Sequence, residues 1–568
     1  MPFMKNYRVK RILVIFIILL VLSGSSVIFI SFSNDDFKLV KSLEIYYSLF
    51  RELNLFYVDE TDPEKLVESS IEGMLEELDP YTSFIPESEQ ENFNFMTTGQ
   101  YGGIGALIRR SGDYAIIAEP YYDFPAAKNN LRAGDTIVAI DGISMKEKEI
   151  TNISDHLKGT PGTPVRITLR RIGVKGEFEK TLIRERITIN NVPYYGMISE
   201  QIGYVRLSNF TTDAAKEVKN AVLELKRKYK PVGIILDVRG NPGGLLIESV
   251  DVANLFIEYG QEIVITKGRV DQWDYTYKTR GIPVDTEIPV VVLVSRSSAS
   301  ASEILAGSMQ DLDRGVIIGQ RTYGKGLVQT TRNLAYNSKL KVTTAKYYIP
   351  SGRCIQALDY STRNEDGSVG AIPDSLISEY QTKNGRKVYD GGGILPDIIT
   401  TPGNVSQFTI SLFTQNIIFD FATIYASCHD SILPVKDFVI SDELYAEFMA
   451  YVIDRNFTYS TRSEDNLKKL IESSRQEKYY ELAADEFAAL EKKLAHDNEK
   501  DLNHFRDEIA RLLKQEIVLR YYYQWGSMEA AIENDPEIEK AVEVLKNNDD
   551  YLSILGYQTE KIHASLTE

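Results

Sequence analysis

Four short runs between residues 196 and 400, "GYVRLSNF", "VGIILDVRG", "IPVVVLVS" and "GVIIGQ", are apolar at nearly every position, and helical periodicity follows each of the first three. Near-continuous apolar strands alternating with helices predict an α/β layer structure. The flanks differ. Residues 37–95 read as helical, with "DPEKLVESSIEGMLEELD" opening on an Asp-Pro helix start. Residues 98–186 carry short glycine-punctuated β segments, among them "DTIVAIDG" and "VRITLRR". After Thr400 the chain turns helical and charge-rich again. At 568 residues it is too long for one core.

The N-terminus places an electrostatic step on a hydrophobic run. "MKNYRVKR" carries four cations, residues 12–32 are almost wholly apolar, and Asp35 and Asp36 follow. The run is long enough to span a bilayer, or its first half can serve as a signal-peptide core. Either way the cationic flank stays cytoplasmic, and the rest of the chain is expected to work outside the cytoplasm. The net charge of −17 argues against nucleic acid as a partner. Cys354 and Cys428 are too few for a disulfide framework and read as free thiols. No metal-binding or nucleotide-binding motif is present, so no cofactor is expected.

The chemistry centres on "SRSSASASEILAGSMQD", residues 295–311. Ser300-x-x-Glu303 matches a capping box, and Ser300 can be read as nothing more than a helix start. The same position also suits a nucleophile, because a helix N-terminus offers a backbone N–H, here that of Ala301, to a developing oxyanion. A serine nucleophile needs a base, yet no histidine lies between residues 157 and 428. "RTYGKGLVQTT" supplies Lys325 between two glycines, with Gln329 four residues on. Bringing a lysine from pKa ~10.4 to near neutrality costs about 4 kcal/mol of differential stabilisation, which burial can provide. Ser300 and Gln329 are candidate partners for the neutral amine. "DVRGNPGGL" turns on Gly243 and Gly244, either of which can aim an N–H outward as a second oxyanion donor.

"SASASEILAGSMQD", "GQRTYGKGLVQT" and "KYYIPSGRCIQ" occur in that order, together with "LDVRGNPGGL", "LDPYTSFI" and "GGGILPD". In these motifs the chain resembles the carboxyl-terminal processing peptidase (tail-specific protease) family over roughly residues 40 to 400. The resemblance implies Ser300 as nucleophile, Lys325 as general base, and Gln329 as the residue that orients the lysine. It implies an oxyanion hole from the Ala301 N–H and one glycine of the 243–244 pair. Tyr323 stands where many relatives have Phe.

"FPAAKNNLRAGDTIVAIDGISM" resembles the helix-turn-strand run of PDZ domains, and "GQYGGIGALI" leads into it. Successive amides of Tyr101, Gly102, Gly103, Ile104 and Gly105 can form a nest for a peptide carboxylate, with the peptide added as a strand beside "IGALI". The expected architecture is therefore an α/β protease core with crotonase/Clp-protease-like layers, a PDZ domain, and helical N- and C-terminal regions. The divisions are residues 1–36 (anchor or signal segment), 37–97 (helical), 98–188 (PDZ), 189–405 (Ser-Lys peptidase core) and 406–568 (helical). The expected partners are protein or peptide substrates with free C-termini, the membrane if the N-terminal segment is uncleaved, and a second copy through the helical ends. The expected location is the cell envelope, periplasmic or anchored in the inner membrane. The competing readings are a non-catalytic PDZ scaffold on a protease-like core and an acyl-CoA enzyme of crotonase type, for which no coenzyme-A signal appears.

Overall fold

A computed structural model describes residues 34–364, 368–401, 403, 405–455, 457–494 and 497–557. The apolar N-terminal run lies outside the described residues; among those described, no helix is long and apolar enough to cross a membrane. The chain divides into two compact units at Phe84/Ile85. The first contains helices Asn34–Phe56 and Pro63–Glu76. The second begins with Pro63 at its N-terminal turn and with the Asp62 carboxylate accepting from the N–H groups of Glu64 and Lys65, as the Asp-Pro start predicts.

In the second unit, the strands between Gln100 and Thr188 make a β domain. Its sheet runs Ala106–Ser111, Tyr114–Pro120, Thr136–Ile140, Pro164–Arg170, Glu177–Ile183. Alternation sets its core: Val165, Ile167 and Leu169 are buried beside Ile117, Ile137, Ile140, Ile153 and Leu182. A separate two-stranded ribbon pairs Gln100–Gly103 with Glu185–Thr188.

The central sheet has six strands in sequence order: β1 (Tyr194–Met197), β2 (Ile202–Arg206), β3 (Gly233–Asp237), β4 (Val290–Val294), β5 (Val316–Gly319) and β6 (Ile398–Ile399). β1 is antiparallel to β2, and the other neighbours are parallel. Parallel strands need crossovers, and helices α1 (Ala214–Tyr229), α2 (Leu246–Ala253) and α3 (Ala301–Asp311) lie in those connections. The continuous apolar pattern now has its reason. Ile234, Leu236, Val290, Val292, Val294 and Ile317 face one core with residues of α1, α2 and α3. Ile235, Val291, Leu293, Val316 and Ile318 face another. That second face is covered from the far end of the chain, by Ile538, Ala541, Val544 and Leu545 of α4 (Pro536–Lys546) and by Tyr551 of α5 (Asn548–Ile554).

Helices Gln407–Thr414, Ile417–Cys428, Asp442–Asp454 and Arg506–Ala531 pack around Phe408, Leu412, Phe421, Phe448, Ile509 and Ile517. They also meet the β domain, where Phe419 joins Ile116 and Ala133, and where the Arg109 guanidinium lies 3.6 Å from the Phe419 ring centre. Cys354 and Cys428 are both free thiols.

Candidate active site

Ser300 follows β4 through a tight turn and precedes the first residue of α3. Its backbone is at φ +56°, ψ −112°, a strained conformation for a residue with a side chain. Three neighbours hold it there. Its N–H donates to Glu303 Oε2 at 2.7 Å, its carbonyl accepts from the Tyr347 hydroxyl at 3.3 Å, and Gly243 packs against it from the opposite turn. A methyl group on Gly243 would lie 2.7 Å from Ala299 O and 2.9 Å from both Ala301 N and Ser300 Cβ. With φ at +100° besides, only glycine fits that position.

The Gly324-Lys325-Gly326 turn is brought to Ser300 by the same carboxylate. Glu303 Oε2 also accepts the Lys325 N–H at 2.9 Å, while Oε1 accepts the Gly324 N–H at 2.7 Å and the Thr322 hydroxyl at 2.6 Å. Glu303 is fully buried. Burial pushes its carboxyl up to about 7, against the pull of the four donors. Tyr347 adds a second tie, donating to the carbonyls of both Ser300 and Lys325. Gln356 Oε1 takes the Gly326 N–H at 2.7 Å. Lys325 itself is half-buried, as is Gln329, whose Nε2 donates to Thr343 Oγ1 at 3.1 Å across the Leu327–Asn333/Lys339–Tyr348 hairpin.

The 237–244 turn faces Ser300 from β3. The Asn241 carbonyl accepts from the Ala299 N–H at 3.1 Å and the Ser302 hydroxyl at 2.9 Å, and Ser298 Oγ donates to Val238 O at 2.8 Å. The two glycines differ. The Gly243 N–H is committed to Asn241 Oδ1 at 2.9 Å, an Asx-turn. The amides of Gly244 and Ala301 donate to no acceptor among the described residues.

In the β domain, strand Ala106–Ser111 is the edge of its sheet, with helix Ile150–Leu157 beside it. Tyr101, Gly102 and Gly103 lie in a strand paired with Glu185–Ile187, so only Ile104 and Gly105 form the loop that enters the edge strand. Gly105 has φ +71°, and a methyl group there would sit 2.5 Å from Phe124 Cβ.

The sequence reading assigned no role to Tyr347 or Gln356 and treated Glu303 only as a helix cap. Tyr347 and Gln356 both lie in "KYYIPSGRCIQ", where they and Arg353 are buried although Lys346 is exposed. Arg353 from that stretch is fully buried and pairs with Asp311 at 2.8 Å, fixing the segment to the end of α3.

Comparison with known proteins agrees with this organisation. Residues 201–362 match peptidase family S41, 116–171 match a PDZ domain, and 408–545 match the C-terminal helical domain of probable PDZ-proteases. The carboxy-terminal-processing protease of Bartonella bacilliformis is 35% identical over 350 residues, 61% of this chain and 77% of that protein. A probable CtpA-like serine protease of Staphylococcus aureus is 32% identical over 311 residues, 54% of this chain and 61% of that protein. Among solved structures, the photosystem II D1 C-terminal processing protease aligns at 28% identity and a TM-score of 0.34, covering 63% of this chain and 92% of that one. With an S41 core, a PDZ domain and a C-terminal helical domain in one chain, this protein belongs to the carboxy-terminal-processing protease family of serine peptidases.

Proposed function

We propose that this serine peptidase works outside the cytoplasm, captures the free C-terminal tail of a protein substrate in its PDZ domain, and cuts the chain by a Ser-Lys acyl-enzyme mechanism. Lys325, neutral, takes the Ser300 hydroxyl proton as Oγ attacks the scissile carbonyl. The amides of Ala301 and Gly244 receive the oxyanion, both being unspent donors, one directly after Ser300 and the other directly after Gly243, which packs on Ser300. Lys325 then protonates the leaving amine and activates water for deacylation, with Gln329 orienting it. The substrate tail adds to the edge strand Ala106–Ser111, its carboxylate at the Ile104-Gly105 loop that enters that strand. The observation that carries the reading is the Glu303 carboxylate, which binds the Ser300 and Lys325 amides on one oxygen. Export rests on the basic flank and apolar run at the N-terminus. Self-association through the helical ends is supported by helix Asn34–Phe56, which leaves Phe37, Leu43, Tyr47 and Phe56 exposed.

The test is cleavage of an unstructured protein ending in apolar residues, by wild type, Ser300→Ala and Lys325→Ala, with the substrate C-terminus free or amidated. Both substitutions abolish cleavage and amidation weakens it. A Lys325→Ala enzyme cutting at the wild-type rate refutes the Ser-Lys assignment. A wild type that binds the tail without cutting it leaves the scaffold reading.

A further inference from the structure

The C-terminal helices do more than cover the sheet. Asp535 caps α4, its Oδ1 accepting from the N–H groups of Glu537 at 2.9 Å and Ile538 at 3.1 Å, while Oδ2 accepts from Arg239 Nη1 at 2.8 Å. Glu537 Oε2 accepts from the same nitrogen at 2.7 Å. The rest of the Arg239 guanidinium lies on Asp237, with Nη2 2.7 Å from Oδ2. Asp237 is fully buried and also takes the Tyr204 hydroxyl and Arg206 Nη1, each at 2.7 Å. Arg206 Nη2 in turn donates to the Arg239 carbonyl at 2.6 Å.

Two guanidiniums around one buried carboxylate leave one positive charge unmatched, and the two carboxylates at the start of α4, Asp535 and Glu537, more than offset it. A cavity of about 280 Å³ borders the cluster, lined by Tyr204, Arg206, Arg239, Met528 and Asp535. A released Arg239 therefore has space to swing into. Arg239 is also the third residue of the 237–244 turn, so its movement carries the backbone that faces Ser300.

We infer that Asp535 and Glu537 are positioning residues for catalysis: they hold Arg239, and through it the 237–244 turn, in the register in which Gly244 faces the reacting carbonyl. The inference rests on the oxyanion role of that turn proposed above. It makes the C-terminal helical domain a working part of the peptidase core.

The test uses the full chain carrying Asp535→Asn and Glu537→Gln together, with Glu537→Gln alone as a milder variant and Glu539→Gln, exposed on the same helix, as control. Asn caps a helix as well as Asp, so α4 keeps its start. kcat falls about tenfold at unchanged KM, a fraction of what losing an oxyanion donor costs. Hydrogen-exchange protection of the 238–244 amides falls with it, while the control matches wild type. Unchanged kcat and unchanged protection at 238–244 in the folded double variant overturn the inference. If the double variant does not fold, the Glu537→Gln enzyme decides by the same two readouts. If wild type cuts nothing, the protease reading fails, and exchange at 238–244 alone decides whether the carboxylates hold the turn.

Discussion

Replacing Glu303 by glutamine changes one oxygen into an amide nitrogen at constant shape. The site offers four donors and no spare acceptor: the Ser300 and Lys325 amides on one oxygen, the Gly324 amide and the Thr322 hydroxyl on the other. Glutamine keeps one oxygen, so one pair of donors must face an NH₂ group. Turned toward Ser300 and Lys325, the NH₂ leaves two backbone donors unpaired. Turned toward Thr322 and Gly324, it leaves one, because the Thr322 hydroxyl can rotate to accept. The second orientation is preferred. It costs one buried donor left unmet and the charge assistance of the other bonds, together roughly 2–4 kcal/mol.

Glu303→Ala removes every acceptor and opens a cavity as well, so it loses more than the glutamine variant. In both, the Ser300 and Lys325 turns lose alignment, and kcat falls while tail binding to the PDZ domain is retained. Urea unfolding, steady-state cleavage and peptide binding measured side by side provide the check. A Glu303→Gln enzyme with wild-type unfolding midpoint and wild-type kcat refutes the bracket.

Gly243→Ala drives a methyl group into the backbone of the Ser300 turn at 2.7–2.9 Å, in a left-handed conformation, where nothing can give way. Cleavage is lost and the core is destabilised by about 2–4 kcal/mol, whereas tail binding measured on the same protein is unchanged; normal turnover would show that the two turns are not in contact. At the seam between the β domain and the C-terminal helices, burial pushes Glu119 up to about 7 from 4.5, with Glu516 adding to the shift and Arg520 opposing it. Arg109 and Asp420 belong to the same cluster, Arg109 and Arg520 both lying over Phe419. A raised carboxyl pKa stabilises the fold fully below the unfolded value, and that stabilisation is lost as pH rises through 7, by about 3 kcal/mol in all. Thermal unfolding from about pH 5 to about pH 8 therefore shows a decline that Glu119→Gln makes shallower, Glu303 contributing the same kind of loss in both proteins, and an identical slope in the variant would refute this assignment.

The α/β layering was legible because short, near-continuous apolar runs that alternate with helical periodicity suit parallel strands buried on both faces. The identity of the second cover was not. Leu545 packs against Gly233 across some three hundred residues of chain, and α4 reads in isolation like any amphipathic, charge-rich helix. Periodicity says that a helix has an apolar face but not which sheet receives it. A division of the chain at residue 405 therefore follows the composition, while the layers of the core run past it to Tyr551.

At the site, the capping box and the proposed nucleophile need not be alternatives, because Glu303 caps Ser300 and takes the Lys325 amide on the same oxygen. Glu303 does accept the Ser300 N–H as a cap residue would, but three of its four donors come from a segment about twenty residues downstream that only the sheet brings near. No local pattern carries that information. The choice between Gly243 and Gly244 was different, because its signal is local. Asn241-Pro242-Gly243 is an Asx-turn sequence, and an Asx-turn spends the N–H two residues on. The amide after it, that of Gly244, is the one left over. The same reasoning bears on why an asparagine stands there. A side chain unable to accept from Gly243 would release a second free amide beside Ser300, in competition with Gly244 for the same anion. In the proposed mechanism Asn241 thus does for the 237–244 turn what Glu303 does for Ser300 and Lys325: it satisfies the donors that must not compete, so that those left unsatisfied are the ones the reaction would use.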